Sequence, residues 1–142
     1  MNEQELRAAI VAEAKTWLRT PFHHREGIKG IGCDCVHLPI RVYQAVGLLE
    51  REFNPGYYAQ HWYLHQSEEL YMRGLNERLR RVDIAQPADL AMYKFGRTVS
   101  HAAIVVDDAY IIHAYSTIGA VVLQERDDAF LTEHLDSYWS IF

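Results

Sequence analysis

Apolar residues recur every three or four positions near the start of the chain, which predicts an amphipathic helix from residue 3 to about residue 19. Pro21 ends this helix, because a proline biases the residue before it away from helical angles. Residues 22–32 are then expected to form a loop, since they hold two histidines and three glycines. The chain therefore opens with one helix and a histidine-bearing loop.

A second helix is expected to begin at residues 33–35, where the Asp34 carboxylate can cap the free amides of the first turn. Its apolar positions keep a helical spacing up to Gly47, which suits a C-terminal cap. Residues 54–66 are predicted to be an aromatic-rich loop, and residues 67 to about 81 a third helix. The aromatic loop either walls a cleft, contacts a neighbouring protein or packs into the core.

The second half of the chain has the pattern of short strands, rich in Val, Ile and Tyr and separated by turn-prone pieces. The predicted strands are residues 89–95, 101–106, 110–115, 120–124 and 137–142. Helices followed by a strand meander favour an α+β fold, with N-terminal helices packed on a C-terminal antiparallel sheet. The length of 142 residues fits a single domain, 1–142.

Composition and charge exclude several classes of protein. The chain is 49% hydrophobic and 23% charged, which is typical of a globular protein. Its net charge of -5 argues against a nucleic-acid partner. No apolar run approaches the roughly 20 residues of a membrane span. The first residues lack the apolar stretch of a signal peptide, so we expect synthesis in the cytoplasm.

The two cysteines of the chain, Cys33 and Cys35, are predicted to be free thiols, because a bridge between positions so close would be strained. A helix N-terminus and a nearby histidine lower the pKa of a thiol and so activate it as a nucleophile. Cys35 follows the predicted N-cap directly and is the candidate nucleophile. Cys33 is expected to pack as a small apolar residue. Cys-x-Cys with scattered histidines fits structural zinc sites poorly.

Two strand histidines are the candidate partners of the thiol. His101 and His113 lie twelve positions apart, on successive predicted strands. If residues 107–109 form a three-residue turn, His113 lies on the same face as His101, one diagonal step away. A two-residue turn would place them on opposite faces. The first geometry predicts that Cys35 attacks, His101 takes its proton and His113 orients His101.

Five pieces of the sequence, in this order and at this spacing, resemble the NlpC/P60 family of cell-wall cysteine peptidases. The pieces are Trp17-Leu18-Arg19-Thr20-Pro21-Phe22, Gly32-Cys33-Asp34-Cys35, Asp89-Leu90, Ser100-His101-Ala102-Ala103-Ile104 and Ile112-His113-Ala114. The resemblance runs from about residue 8 to residue 125. It looks closest to the prophage-encoded branch found in phage tail modules, which has a similar Trp62-Tyr63-Leu64-His65 stretch.

The resemblance implies a papain-like core that cuts the stem peptides of peptidoglycan, often between D-glutamate and the diamino acid that follows. It implies Cys35 as nucleophile, His101 as base and His113 as the third polar residue, with no metal and no organic cofactor. It also implies that Phe22, Asp34 and Ser100 line the substrate site. A setting in a virion follows from the branch, with other phage tail proteins as partners.

The sequence departs from the family pattern at two places beside the site. Phe22 stands where the family usually has a tyrosine, whose hydroxyl lies near the thiol. Val36 and His37 stand where small residues usually follow the nucleophile, and larger side chains there are expected to reshape the cleft. Two other functions therefore stay open, namely an inactive structural part of a tail tip and a thiol acyltransferase or amidase with another substrate.

Overall fold

The computed structural model describes residues 1–55 and 77–142, and its first element is helix α1, Glu3–Lys15. Asn2 caps α1 by accepting the backbone N–H of Glu5 at 2.9 Å. The helix is four residues shorter than predicted, because residues 16–19 continue as turns and Arg19 takes a positive φ of 76°. The apolar period extends past the helix because these turns also bury a side chain of the core, that of Trp17.

Helix α2, His37–Ala45, is the second element and begins later than predicted. Val36 before it already has helical angles, with φ -76° and ψ -45°. The carbonyl of Asp34 accepts from the N–H of Leu38 at 3.1 Å, so the first helical hydrogen bond starts at Asp34. The expected cap at Asp34 is therefore present one turn ahead of the regular helix.

Eight strands and a third helix, α3, Ala129–His134, complete the described elements. The strands are β1 Gly27–Ile28, β2 Gly32–Cys33, β3 Arg80–Val82, β4 Leu90–Phe95, β5 Thr98–Val105, β6 Tyr110–Tyr115, β7 Ala120–Glu125 and β8 Leu135–Ser140. β1 and β2 pair with each other, and the other six form an antiparallel sheet in the order β3-β8-β4-β5-β6-β7. The predicted α+β class is confirmed.

The four strands β4–β7 form the predicted meander, and the edges of the sheet differ from the prediction. The last strand, β8, returns to pair with β4 on the far side of the meander. Residues 80 and 81 were expected to end a helix but lie in β3, where Arg81 pairs with Trp139 of β8. That pairing is distant in sequence, so local spacing carried no signal for it. Residues 77–79 of the predicted third helix are also not helical, while residues 67–76 lie outside the described residues, as do aromatic residues 57–63.

Each face of the large sheet buries its own apolar cluster. Helices α1 and α2 cover the first face through Ile10 and Leu38, which pack with Ile104 and Ile112. Helix α3 covers the other face, where its Leu131 is fully buried. Alternation along a strand places Ala102 and Ile104 towards α1 and α2, whereas His101 and Ala103 point to the opposite face.

A buried ion pair fixes α1 to the sheet. The Arg7 guanidinium, 3% exposed, bonds the Asp89 carboxylate at 2.8 Å and the carbonyl of Pro87 at 2.8 Å. The same side chain bonds Glu3 at 2.9 Å. Burial opposes the charged form of Arg7, and the bonds to Asp89 and Glu3 outweigh it, so its pKa is raised. Among the described residues, no helix is long and apolar enough to cross a membrane.

Candidate active site

The turn before α2 holds Cys35 in place through the carboxylate of Asp34. One carboxylate oxygen accepts from the backbone N–H and from the ring Nδ1 of His37, both at 2.9 Å. The other oxygen accepts from the backbone N–H of Arg25 at 2.7 Å. Asp34 is 2% exposed, so it ties the loop to α2 from inside the protein. Its contact with substrate stays a prediction.

The thiol of Cys35 contacts the backbone of β5. Its Sγ lies 3.6 Å from the carbonyl oxygen of Ser100, and the backbone N–H of Ala102 also acts on it. His101 lies between these two residues. The imidazole is therefore carried by the same three-residue segment of β5 that contacts the sulfur.

The sheet is split where the thiol approaches it. β6 pairs with β7 over six residue pairs, whereas β5 pairs with β6 only at Ile104–Ile112 and Val105–Ile111. Towards Ser100 the ladder between β5 and β6 has ended, which leaves that edge of β5 open to the start of α2. A bulge in the pairing of β4 with β5, between Tyr93 and Lys94, adds local twist at the same place.

His101 and His113 meet across this split. His101 Nε2 and His113 Nδ1 are 2.7 Å apart. The pairs Ile104–Ile112 and Val105–Ile111 continue to Val106 opposite Tyr110, where the N–H of Val106 donates to the carbonyl of Tyr110 at 3.0 Å. Residues 107–109 thus form the three-residue turn, and the prediction that both histidines share one face is confirmed.

Gln124 extends the pair of histidines to a third side chain, which sequence reasoning missed. Its Oε1 lies 2.7 Å from His113 Nε2. Gln124 pairs with Ile111, and His113 pairs with Val122, so Gln124 reaches His113 diagonally across the ladder of β6 and β7. Gln124 could have been found from the register of the β6–β7 hairpin. The sequence predicted the two strands of that hairpin but not which of their residues pair.

Aromatic rings enclose the two imidazoles. Phe95 stacks on His101 with ring centroids 5.1 Å apart, and Tyr115 stacks on His113 at 4.7 Å. Phe95 also contacts Phe130 of α3 at 5.6 Å. Phe130 is 49% exposed, so this wall continues from the buried histidines to the surface.

Burial favours the uncharged form of every group in the site. It raises the pKa of the Cys35 thiol well above its usual range, and the nearby carboxylate of Asp34 adds to the rise. It lowers the pKa of His101 well below 6.5, with a smaller contribution from His113. It lowers the pKa of His113 to about 4, against the opposing effect of the hydrogen bond that His113 donates to Gln124. The resting site therefore holds a neutral thiol and neutral imidazoles, instead of the activated thiol expected from the helix start.

The residues that depart from the family pattern pack inside the protein. Val36 is 5% exposed in the core, and the His37 ring is bonded to Asp34. Phe22 packs partly buried against the core, while its N–H donates to the carbonyl of Gly119 at 2.8 Å. Val36 therefore faces the core, and the expectation that residues 36 and 37 reshape the cleft stays a prediction.

Cys33 and Ser100, which the sequence analysis also singled out, are both buried and contact backbone carbonyls. Cys33 is a fully buried free thiol whose Sγ lies 3.4 Å from the carbonyl of Asp34. Ser100 is 5% exposed, and its hydroxyl donates to the carbonyl of Phe95 at 3.2 Å. Within residues 1–55 and 77–142, no three His, Cys, Asp or Glu side chains are grouped closely enough to hold a metal ion.

Solved structures with a similar fold include NlpC/P60 domains. The NlpC/P60 domain of the peptidoglycan hydrolase SagA is 22% identical, with a TM-score of 0.65 over 94% of this chain and 97% of that domain. A Staphylococcus aureus protein of the same family is 18% identical (TM-score 0.69), covering 100% of this chain and 43% of its own. The peptidoglycan hydrolase RipB of Mycobacterium tuberculosis is 16% identical (TM-score 0.66), covering 96% of this chain and 64% of its own.

Only the comparison with solved structures found similar proteins, and the share of each protein that this chain spans varies. No protein-family model matches the sequence, and no curated protein does. The chain spans nearly all of the SagA domain but less than half of the Staphylococcus aureus protein. Each of the three structures aligns with nearly the whole of this chain. The chain has the NlpC/P60 fold.

Proposed function

We propose that the protein is a cysteine peptidase that hydrolyses amide bonds in peptidoglycan stem peptides through an acyl-enzyme. One observation carries the proposal, namely that the sulfur of Cys35 contacts the β5 backbone on either side of His101, whose Nε2 is 2.7 Å from His113. The proposed nucleophile, Cys35, precedes α2, while the proposed base, His101, and the residue that orients it, His113, lie on β5 and β6. The substrate class is supported by two of the similar structures, which are of peptidoglycan hydrolases.

The chemistry starts from neutral groups. As Sγ of Cys35 attacks the amide carbon, Nδ1 of His101 takes the thiol proton, and the negative charge moves to the carbonyl oxygen. The backbone N–H of Cys35 itself acts on its sulfur, and it is the donor assigned to stabilise that oxygen. His101 then gives its proton to the leaving nitrogen, which leaves a thioester on Cys35.

The second half of the reaction reverses these roles. His101 removes a proton from water, the resulting hydroxide attacks the thioester, and the free acid leaves as the thiol is restored. His113 holds the His101 ring throughout by the bond between their nitrogens. The closed aromatic surroundings exclude water from the rings, which strengthens each polar interaction in the site.

Hydrolysis of purified sacculi tests this proposal. We expect new free amino groups with the wild-type chain, and a loss of at least about a thousandfold with Cys35→Ala, because the nucleophile forms the covalent intermediate. Cys33→Ala is the matched control, since this neighbouring thiol is fully buried in the apolar core and its sulfur contacts the carbonyl of Asp34. Equal release by wild type and Cys35→Ala would refute the assignment of the nucleophile.

We further propose that the protein acts as a component of a phage or prophage tail, opening the cell wall beside other tail proteins. The support is the likeness of residues 62–65 and of the His101 strand to the tail-associated branch. Tail particles isolated from an induced lysogen are expected to carry the chain and to lose wall hydrolysis with Cys35→Ala. Wall hydrolysis with no chain in the particles would contradict this setting.

A further inference from the structure

Gln124 stands at the end of a chain of hydrogen bonds that leads to His101, whose two neighbours in β5, Ser100 and Ala102, contact the thiol of Cys35 through their backbones. Its Oε1 is 2.7 Å from His113 Nε2, and His113 Nδ1 is 2.7 Å from His101 Nε2. Each link uses a different ring nitrogen, so the position of one proton decides the position of the next.

The direction of the protons follows from what each atom can do. An amide carbonyl oxygen only accepts hydrogen bonds, so His113 Nε2 must carry a hydrogen. A neutral imidazole carries one ring hydrogen, which leaves His113 Nδ1 as an acceptor. His101 Nε2 must then donate to it, and His101 Nδ1 is left with a free lone pair. Burial keeps both rings in the neutral form that this reasoning requires.

We propose that Gln124 is a positioning residue that fixes the tautomers of His113 and His101, so that His101 keeps a bare Nδ1 for the proton of Cys35. The inference rests on the proposed function, because it assigns that nitrogen as the base. An amide turned by 180° would present NH₂ to His113 and reverse every proton in the chain. His101 Nδ1 would then carry a hydrogen and could not accept the thiol proton.

The residue needed at position 124 is thus an acceptor of the right reach. Gln124→Met keeps the length of the side chain but offers only a weakly accepting sulfur, so both sets of tautomers become populated. Gln124→Glu supplies oxygens that can only accept and restores the original set. The negative charge of the introduced Glu also raises the pKa of His113. The fall of kcat on the acid side of its pH profile should therefore move to higher pH.

Nitrogen-15 NMR of the histidine rings tests the proposal together with kinetics on a stem peptide. In wild type we expect both histidines to be protonated at Nε2, and in Gln124→Met a mixture. The kcat of Gln124→Met should fall about tenfold or more with KM unchanged, because a wrong tautomer removes the base. Glu125→Met, next in β7 and paired with Tyr110, is the matched control and should match wild type in both readouts.

The two readouts separate this inference from the proposed function. A wild-type His101 protonated at Nδ1, or Gln124→Met with unchanged tautomers and kcat, overturns the role of Gln124 even if the peptide is cut. If the peptide is not cut at all, the predicted tautomers in wild type and their mixture in Gln124→Met still support the role of Gln124. That result would count against the peptidase proposal alone.

Discussion

At the scale of single residues, the site is an apolar setting for polar groups. His113 is fully buried and spends both ring nitrogens on neighbours, one on His101 and one on Gln124. A buried polar group of this kind is stable only while its partners remain. The same burial that keeps the imidazoles unprotonated at neutral pH, each with a lone pair, makes them costly to charge.

The pH dependence of stability follows from His113. Its pKa is about 4 in the folded chain against 6.5 for an ordinary histidine, so the unfolded chain binds more protons between these values. The free energy of unfolding should therefore fall as the pH is lowered from 6.5 to about 4, by roughly 3 kcal/mol from His113 alone. His101 contributes in the same direction.

Urea unfolding at several pH values measures this slope. In His113→Asn we expect a shallower loss of stability over the same interval, because the buried titrating group is gone. His23→Asn, on the exposed part of the first loop, is the control and should keep the wild-type slope. Parallel slopes for wild type and His113→Asn would show that burial does not suppress protonation of His113.

At the scale of elements, the position of Cys35 depends on how α2 begins. The Asp34 carboxylate holds three donors, from His37 and Arg25, and its carbonyl accepts the first helical hydrogen bond. One residue further on, the thiol reaches β5 where the ladder with β6 has ended. The position of Cys35 therefore depends on a cap and on a split between two strands.

Removing the cap should disturb both stability and catalysis. Asp34→Ala leaves buried donors without an acceptor, so we expect a loss of about 1–3 kcal/mol in the free energy of unfolding and a lower kcat. Asn2→Ala is the matched control, since Asn2 caps α1 in the same way, at 2.9 Å, away from the thiol. It should cost about 1 kcal/mol and leave kcat unchanged. A wild-type kcat in Asp34→Ala would show that the Asp34 cap is not needed to position Cys35 for catalysis.

The sequence predicted the elements whose signals are local. Strands β4 to β7 match the predicted strands closely, because they are short segments rich in Val, Ile and Tyr, and Asp107 starts the turn after β5 by accepting from the N–H of Ala109 at 2.8 Å. β3 was missed because its partner β8 lies more than fifty residues away. α3 was missed although Asp128 caps it, since six residues are too few for a clear helical period.

At the scale of the whole molecule, the fold brings together the N-terminal helices, which carry Cys35, and the C-terminal sheet, which carries His101 and His113. Helices α1 and α2 pack on one face of the sheet and deliver the sulfur, while β5 and β6 deliver the imidazoles. The ion pair of Arg7 with Asp89 fixes the helical half against the start of β4. The sequence predicted that His101 and His113 share a face, but the link to Gln124 and the split in the sheet needed the register of paired strands.

The rate at which iodoacetamide alkylates Cys35 tests most directly whether the two halves work together. If Nδ1 of His101 accepts the thiol proton, His101→Gln should slow alkylation at pH 7 by about tenfold or more, because Gln fills similar space without a base. His23→Gln should match wild type, and peptide mass analysis should find no label on buried Cys33. Equal rates for wild type and His101→Gln would contradict the account, since the sulfur would then react without the imidazole.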